Sequence, residues 1–134
     1  MALLIDTDLL VDRERGVRVE ATERLLGDED RAISVITVSE LLHGVHRAAG
    51  ERRARRRAFV EHLLAGIQAI PITEAVARVH AELWAQLTER GEPIGAHDLW
   101  IAATAVAHGL GVATGNAADF GRVPGLRVVP VAIR

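Results

Sequence analysis

Four carboxylates, Asp6, Glu40, Asp98 and Asp119, carry the chemistry this sequence is equipped for. Asp6 abruptly ends the apolar run 2–5, with Thr7 and Asp8 straight after it. Glu40 closes Thr37-Val38-Ser39-Glu40, Asp98 opens a strongly apolar stretch, and Asp119 follows Thr114 and Asn116. Each has an ordinary explanation. Asp6 or Asp8 would cap a following helix. Thr37 and Glu40 would form a capping box, with Glu40 in the first turn. Asp98, and Asn116 with Asp119, would suit two further helix starts. None of this explains why four acids should gather, because like charges repel and raise one another's pKa. A bound divalent cation removes that conflict, and hard oxygen donors in such number suit Mg²⁺ or Mn²⁺ rather than zinc.

The elements that must position them alternate between strands and helices. The run 2–5 reads as a strand buried on both faces, as in a parallel sheet. Further strands are expected at about 32–36, 67–72, 111–115 and 126–131, with Pro71 marking an edge or a strand end. "EATERLLGDED" reads as a short helix ending near Gly27. Another helix starts from Thr37, with Val38, Leu41, Leu42 and Val45 on one stripe. A third covers 51–66 with Phe59, Val60, Leu63 and Leu64 inward, and a fourth runs from Thr73 to about Arg90, stopped by Gly91. Val76, Val79, His80, Leu83 and Leu87 form its apolar face. "HDLWIAATAVAHG" is apolar almost all round, as a central helix would be. The expected fold class is α/β: a three-layer α/β/α sandwich around a mainly parallel sheet of four to five strands, one domain over 1–134. In such a sheet the ends of the first, second and fourth strands share one edge with the helix N-termini. That edge is where the four acids would converge.

Composition narrows the chemistry further. The 134 residues include no cysteine, which excludes thiolate metal sites and thiol nucleophiles. All sixteen basic residues are arginine, so a catalytic lysine is excluded too. The net charge of −2 gives no overall pull on nucleic acid, and binding to a polyanion needs a local patch. "ERRARRR", with Arg52, Arg53, Arg55, Arg56 and Arg57, is such a patch, read either as a solvated helix face or as an RNA phosphate contact. Trp84, Trp100, Phe59 and Phe120 are the only aromatic rings besides the histidines, and most are expected in the core. No stretch is long enough to span a bilayer, and no secretion leader is evident, which suits the cytoplasm.

"LLIDTDLLVD", "ITVSELLHG", "GEPIGAHDLWIAATAVAHGLGVATGNAADF" and "VPGLRVVPV" together resemble, in order and spacing, the PIN-domain nucleases. The likeness is strongest to the VapC-type toxins of toxin–antitoxin pairs. It implies a PIN-like fold and a Mg²⁺-dependent endoribonuclease that inhibits translation and growth, with Mn²⁺ able to substitute. It also implies a cognate VapB-type antitoxin, an RNA substrate and a homodimer. The family's acids fall on Asp6, Glu40, Asp98 and Asp119, with Thr7, Thr114 and Asn116 supporting them. Asp6 and Asp98 would be the leading metal ligands. Glu40 would bind directly or orient metal water, and Asp119 would serve a weaker second metal. Asp8 is an additional acid, placed at the periphery.

Three other readings fit less well. Asp6-Thr7-Asp8 matches the start of haloacid-dehalogenase-type phosphatases, but that motif expects threonine where Leu10 stands, and it needs a lysine. Glu40-Leu41-Leu42-His43 matches half of a di-iron motif with no second half. A catalytically silent PIN-like binding module is compatible with the fold but leaves the four acids unexplained.

Overall fold

The computed structural model describes residues 2–131. Leu3–Ile5 (β1) has no polar side chain, and all three of its residues are buried. Thr7–Glu14 (α1) and Val19–Leu26 (α2) follow, then Arg31–Ser34 (β2) and Val35–Arg47 (α3). Gly50–Ala65 (α4) leads to Gln68–Ile70 (β3), and Glu74–Glu89 (α5) to Ala96–His108 (α6). Gly111–Thr114 (β4), Ala117–Phe120 (α7) and Arg127–Pro130 (β5) complete the described elements.

The five strands form one sheet in the order β3-β2-β1-β4-β5, and every pairing is parallel. Side-chain alternation along β1 sends Leu3 and Ile5 to one face and Leu4 to the other. The first face packs Ile33 and Ala113 against Leu9, Leu10, Leu41, Val45 and Val60 of α1, α3 and α4. The second packs Ala32 and Val112 against α5 and α6, with Phe120 of α7 completing it. Helices on both faces give the expected three layers. Short alanines at 102, 103 and 105 let α6 lie close to the sheet, and all three are fully buried.

The chain steps outward from β1 to β2 and β3, then returns to the other side of β1 as β4. The crevice beyond the C-terminal ends of β1 and β4 is therefore the topological switch point, where open α/β sheets bind ligands. Asp6 and Thr114 stand at those two ends.

Two local expectations fail. A helix capped by Asp6 was foreseen, but not the extent of α1 directly behind β1: only Leu9 and Leu10 of its residues are buried, adjacent to each other, so no 3.6-residue stripe marks it out. The start of α3 also differs. β-Branched Val35 and Ile36 read as strand, yet β2 ends at Ser34, whose Oγ accepts the Ile36 amide at 3.0 Å and caps α3. Thr37 is therefore not an N-cap but a fully buried residue inside the helix. There is no capping box, and Glu40 lies in the second turn. α5 closes at Arg90, and Gly91 takes the left-handed turn just beyond it.

Because Ser34 is fully buried, its loss strands the Ile36 amide. Ser34→Ala is expected to cost about 1 kcal/mol, read as a lowered urea midpoint at unchanged m-value.

Candidate active site

Asp6 stands at the C-terminal edge of the sheet, where its sequence context placed it. It is the N-cap of α1, with Oδ1 accepting the Thr7 amide at 2.8 Å. Its Oδ2 accepts the Thr114 hydroxyl at 2.7 Å, across 108 residues of chain, and only 5 % of the residue is exposed. Burial first, then the Asp8 carboxylate, push the Asp6 carboxyl up to about 8; Asp98 adds to this, while Thr114 and the Thr7 amide oppose it.

Glu40 reaches the same edge from α3. Thr7 Oγ1 lies 2.6 Å from Glu40 Oε1 and 3.0 Å from Thr37 Oγ1. A hydroxyl has one proton and an ionised carboxylate only accepts, so Thr7 donates to Glu40 and receives from Thr37. Glu40 Oε2 is 3.3 Å from His97 Nδ1 at the start of α6. Asp98 follows His97 in the first turn of α6, whose N-cap is Gly95 and which has no side-chain cap. Its carboxyl is also raised, by burial first and then by Glu40, Asp119 and Asp8, with His97 pulling the other way.

Asp119 enters from α7. Its Oδ2 accepts Asn116 Nδ2 at 3.1 Å, and its Oδ1 is 3.4 Å from Arg122 Nη1. Asn116 in turn donates its amide to Thr114 Oγ1 at 2.8 Å. The structure thus brings all four expected acids, and the three expected supporting residues, to one edge.

Asp8 does not lie at the periphery. It accepts the Gly115 amide at 3.2 Å and raises both Asp6 and Asp98. A Cβ at Gly115 would sit 2.8 Å from Asp8 Oδ2, so a side chain there would displace the Asp8 carboxylate.

The donor set is therefore all hard oxygen, and two members are held above their ordinary pKa by burial first and then by neighbouring negative charge. That chemistry fits a divalent cation. Among the described residues, however, no three Asp, Glu or His side chains close to ion-enclosing distance.

A PIN domain model matches residues 3–126 of this chain. The chain belongs to the PIN domain family. It is 35% identical over 133 residues to a protein of Rickettsia felis named Ribonuclease VapC1, covering 98% of both. It is 28% identical to the tRNA(fMet)-specific endonuclease VapC of Salmonella typhimurium, covering 96% of both. Among solved structures it is similar to a chain of the VapBC2 complex of Rickettsia felis bound to promoter DNA. That match has a TM-score of 0.85 and 25% identity, and covers 96% of this chain and 97% of the other.

In this PIN domain the arginine run divides by function. Arg53 donates to the Ala48 and His46 carbonyls at the end of α3, at 2.6 and 3.1 Å. Arg56 is half-buried, 3.3 Å from Glu14 Oε1 and donating to the Gly44 carbonyl. These two pin α4 to its neighbours. Arg52, Arg55 and Arg57 are exposed, and Arg55 makes only a loose 3.7 Å contact with Glu51.

Sequence reasoning missed Arg18. It adopts a left-handed backbone (φ +58°), pairs with Asp12 and donates to the Val131 carbonyl at 3.0 Å. Those contacts tie α1 to the end of β5 behind Asp8. No residue-type signal in "GVRVE" marks that role.

The raised Asp6 pKa makes stability depend on pH in a definite direction. Folded Asp6 keeps a proton that the unfolded chain releases above about pH 4. In EDTA, stability should therefore fall as pH rises from about 4 to about 8, by up to about 1.4 kcal/mol per unit. Asp6→Asn is expected to lose that slope in thermal melts. An unchanged slope would assign it to other groups.

Proposed function

We propose that this PIN domain is a Mg²⁺-dependent endoribonuclease, the toxin of a toxin–antitoxin pair that slows translation and growth by cutting RNA. The observation that carries this reading is the convergence of Asp6, Asp8, Glu40, Asp98 and Asp119 at the switch point of the sheet, where Asp6 and Asp98 are pushed toward protonation. The ribonuclease names of the relatives support the activity. The VapBC complexes among similar structures support a VapB-type antitoxin as partner, and we extend the reading to a homodimer. Among the described residues no helix is long and apolar enough to cross a membrane, and we place the protein in the cytoplasm.

Asp6 and Asp98 would hold the ion, with Glu40 beside them and Asp119 at a weaker second position. When bound, Mg²⁺ supplies positive charge that offsets the negative charge growing on the phosphate during hydrolysis. The chain's own residues do the orienting. Thr114 and the Thr7 amide each hold one oxygen of Asp6, Thr7 holds Glu40, and Asn116 holds Asp119. Uncompensated, this edge repels phosphate, so the acids make RNA cleavage conditional on the cation. The phosphatase alternative lacks both the threonine its motif needs, where Leu10 stands, and any lysine.

Two experiments test the proposal. Asp98→Asn should reduce RNA cleavage at least ~100-fold, because it removes an anionic ligand. It should hold or raise the melting temperature in EDTA, because it also removes repulsion. Mg²⁺ should raise the wild-type melting temperature and do much less for the variant. Full cleavage by Asp98→Asn would defeat the metal role of Asp98, and wild type that cuts no RNA with Mg²⁺ would leave the silent binding module standing.

The second concerns affinity. Replacing Arg52, Arg55 and Arg57 together by Ala should weaken RNA binding and flatten its dependence on salt, with an unaltered melting temperature. A salt slope equal to that of wild type would remove these arginines from the RNA path.

A further inference from the structure

Most aromatic rings were expected in the core, but Trp84 is 60 % exposed. It stands at a cavity of about 310 Å³ between α5 and α6, walled by Leu87, Pro93 and Ile94. The rings around it are pre-arranged. His80 stacks on Trp100 with centroids 3.6 Å apart and planes 13° from parallel, and it meets Trp84 edge-on at 5.7 Å. Burial lowers the His80 pKa, which favours a neutral ring at this place.

The cavity adjoins the acidic edge through two connections. Ala96, Leu99 and Trp100 line it from the same first turns of α6 that carry Asp98. Arg122 Nη1 donates to the Pro93 carbonyl on the cavity rim at 3.1 Å and lies 3.4 Å from Asp119 Oδ1. Both contacts use Nη1, so the rest of the guanidinium fork faces no partner among the described residues. Acids, a cation and an aromatic cavity thus follow one another along the surface. That order matches one nucleotide of a strand: the bond being cut, its neighbouring phosphate, then a base.

We propose that this cavity is a nucleobase subsite, in which Trp84 stacks an unpaired base of the RNA while Arg122 contacts the adjoining phosphate. The proposal rests on the ribonuclease reading above. Unpaired bases stack on aromatic side chains, whereas bases inside a duplex are already stacked and cannot enter. The subsite therefore selects single-stranded or looped RNA, and it gives sequence choice a physical seat that the arginine run lacks.

The test uses the full chain and a ten-nucleotide single-stranded RNA, intact or with one base removed at each position in turn. Affinity is read by anisotropy in EDTA, and KM and kcat are read with Mg²⁺. Trp84→Ala should weaken binding and raise KM by about five- to 150-fold, the range of one base–aromatic stack, and Trp84→Phe should restore most of the loss. Removing one particular base should weaken binding to wild type by a similar factor and barely affect Trp84→Ala. If the variant binds and cuts every RNA as wild type does, the subsite falls while the ribonuclease reading stands. If wild type neither binds nor cuts RNA, both fall. If Trp84→Ala instead converts a dimer to monomer and no base removal matters, the face belongs to a second copy of the chain and the proposal is overturned.

Discussion

Repulsion among the carboxylates at the end of β1 and β4 is the constraint to which the rest of this structure answers. Five acids from α1, α3, α6, α7 and the end of β1 face one crevice, and two of them are forced toward protonation. The fold holds them mainly with neutral donors: the hydroxyls of Thr7 and Thr114, the Asn116 amide, and the backbone amides of Thr7 and Gly115. Neutral donors fix position without cancelling charge. Ion pairs would fix position and cancel it, and the chain largely keeps its arginines for that purpose elsewhere. Arg31 meets Glu23, Arg56 meets Glu14 and Arg127 meets Glu29, all away from the crevice, while Arg18 meets Asp12 beside it. Among the described residues only Arg122 and His97 pair with the acids, and each pairs with one.

Holding like charges together also demands a stiff frame. The two apolar clusters on opposite faces of the sheet supply it, because the strand ends that present Asp6 and Thr114 are clamped from both sides. Close-packed interiors yield little to local strain. A one-sided sheet would let β1 and β4 splay under the repulsion.

Much of this was legible in the sequence because apolar runs on buried parallel strands are short, continuous and sharply bounded. β1, β4 and the largely apolar α6 announce themselves that way, and the acids at their ends follow from topology alone. What stayed hidden were competitions between comparable local preferences. Ser34 and Thr37 are both good caps, and a hydroxyl-to-amide bond at Ser34 outweighed the strand preference of Val35 and Ile36. The helix α1 has too few buried residues to show a period. The roles of Asp8 and Arg18 depend on contacts more than 100 residues away, to Gly115 and Val131, and no window of sequence contains both partners. Likewise the arginine run looks uniform in one dimension, and only the hydrogen bonds of Arg53 and Arg56 separate the residues that pin α4 from the rest.

The pairing of β1 with β4 also sets when the acidic edge can exist during synthesis. Leu3 pairs with Gly111, so the first strand must wait for nearly the whole chain before its central neighbour arrives. Translation adds roughly 5–20 residues per second, so several seconds separate the synthesis of Asp6 from that of Thr114, Asn116 and Asp119. While those last residues are still inside the ribosome, the crevice has only one wall. The acids of the two walls therefore meet only once β4 and α7 have been made and have closed onto β1.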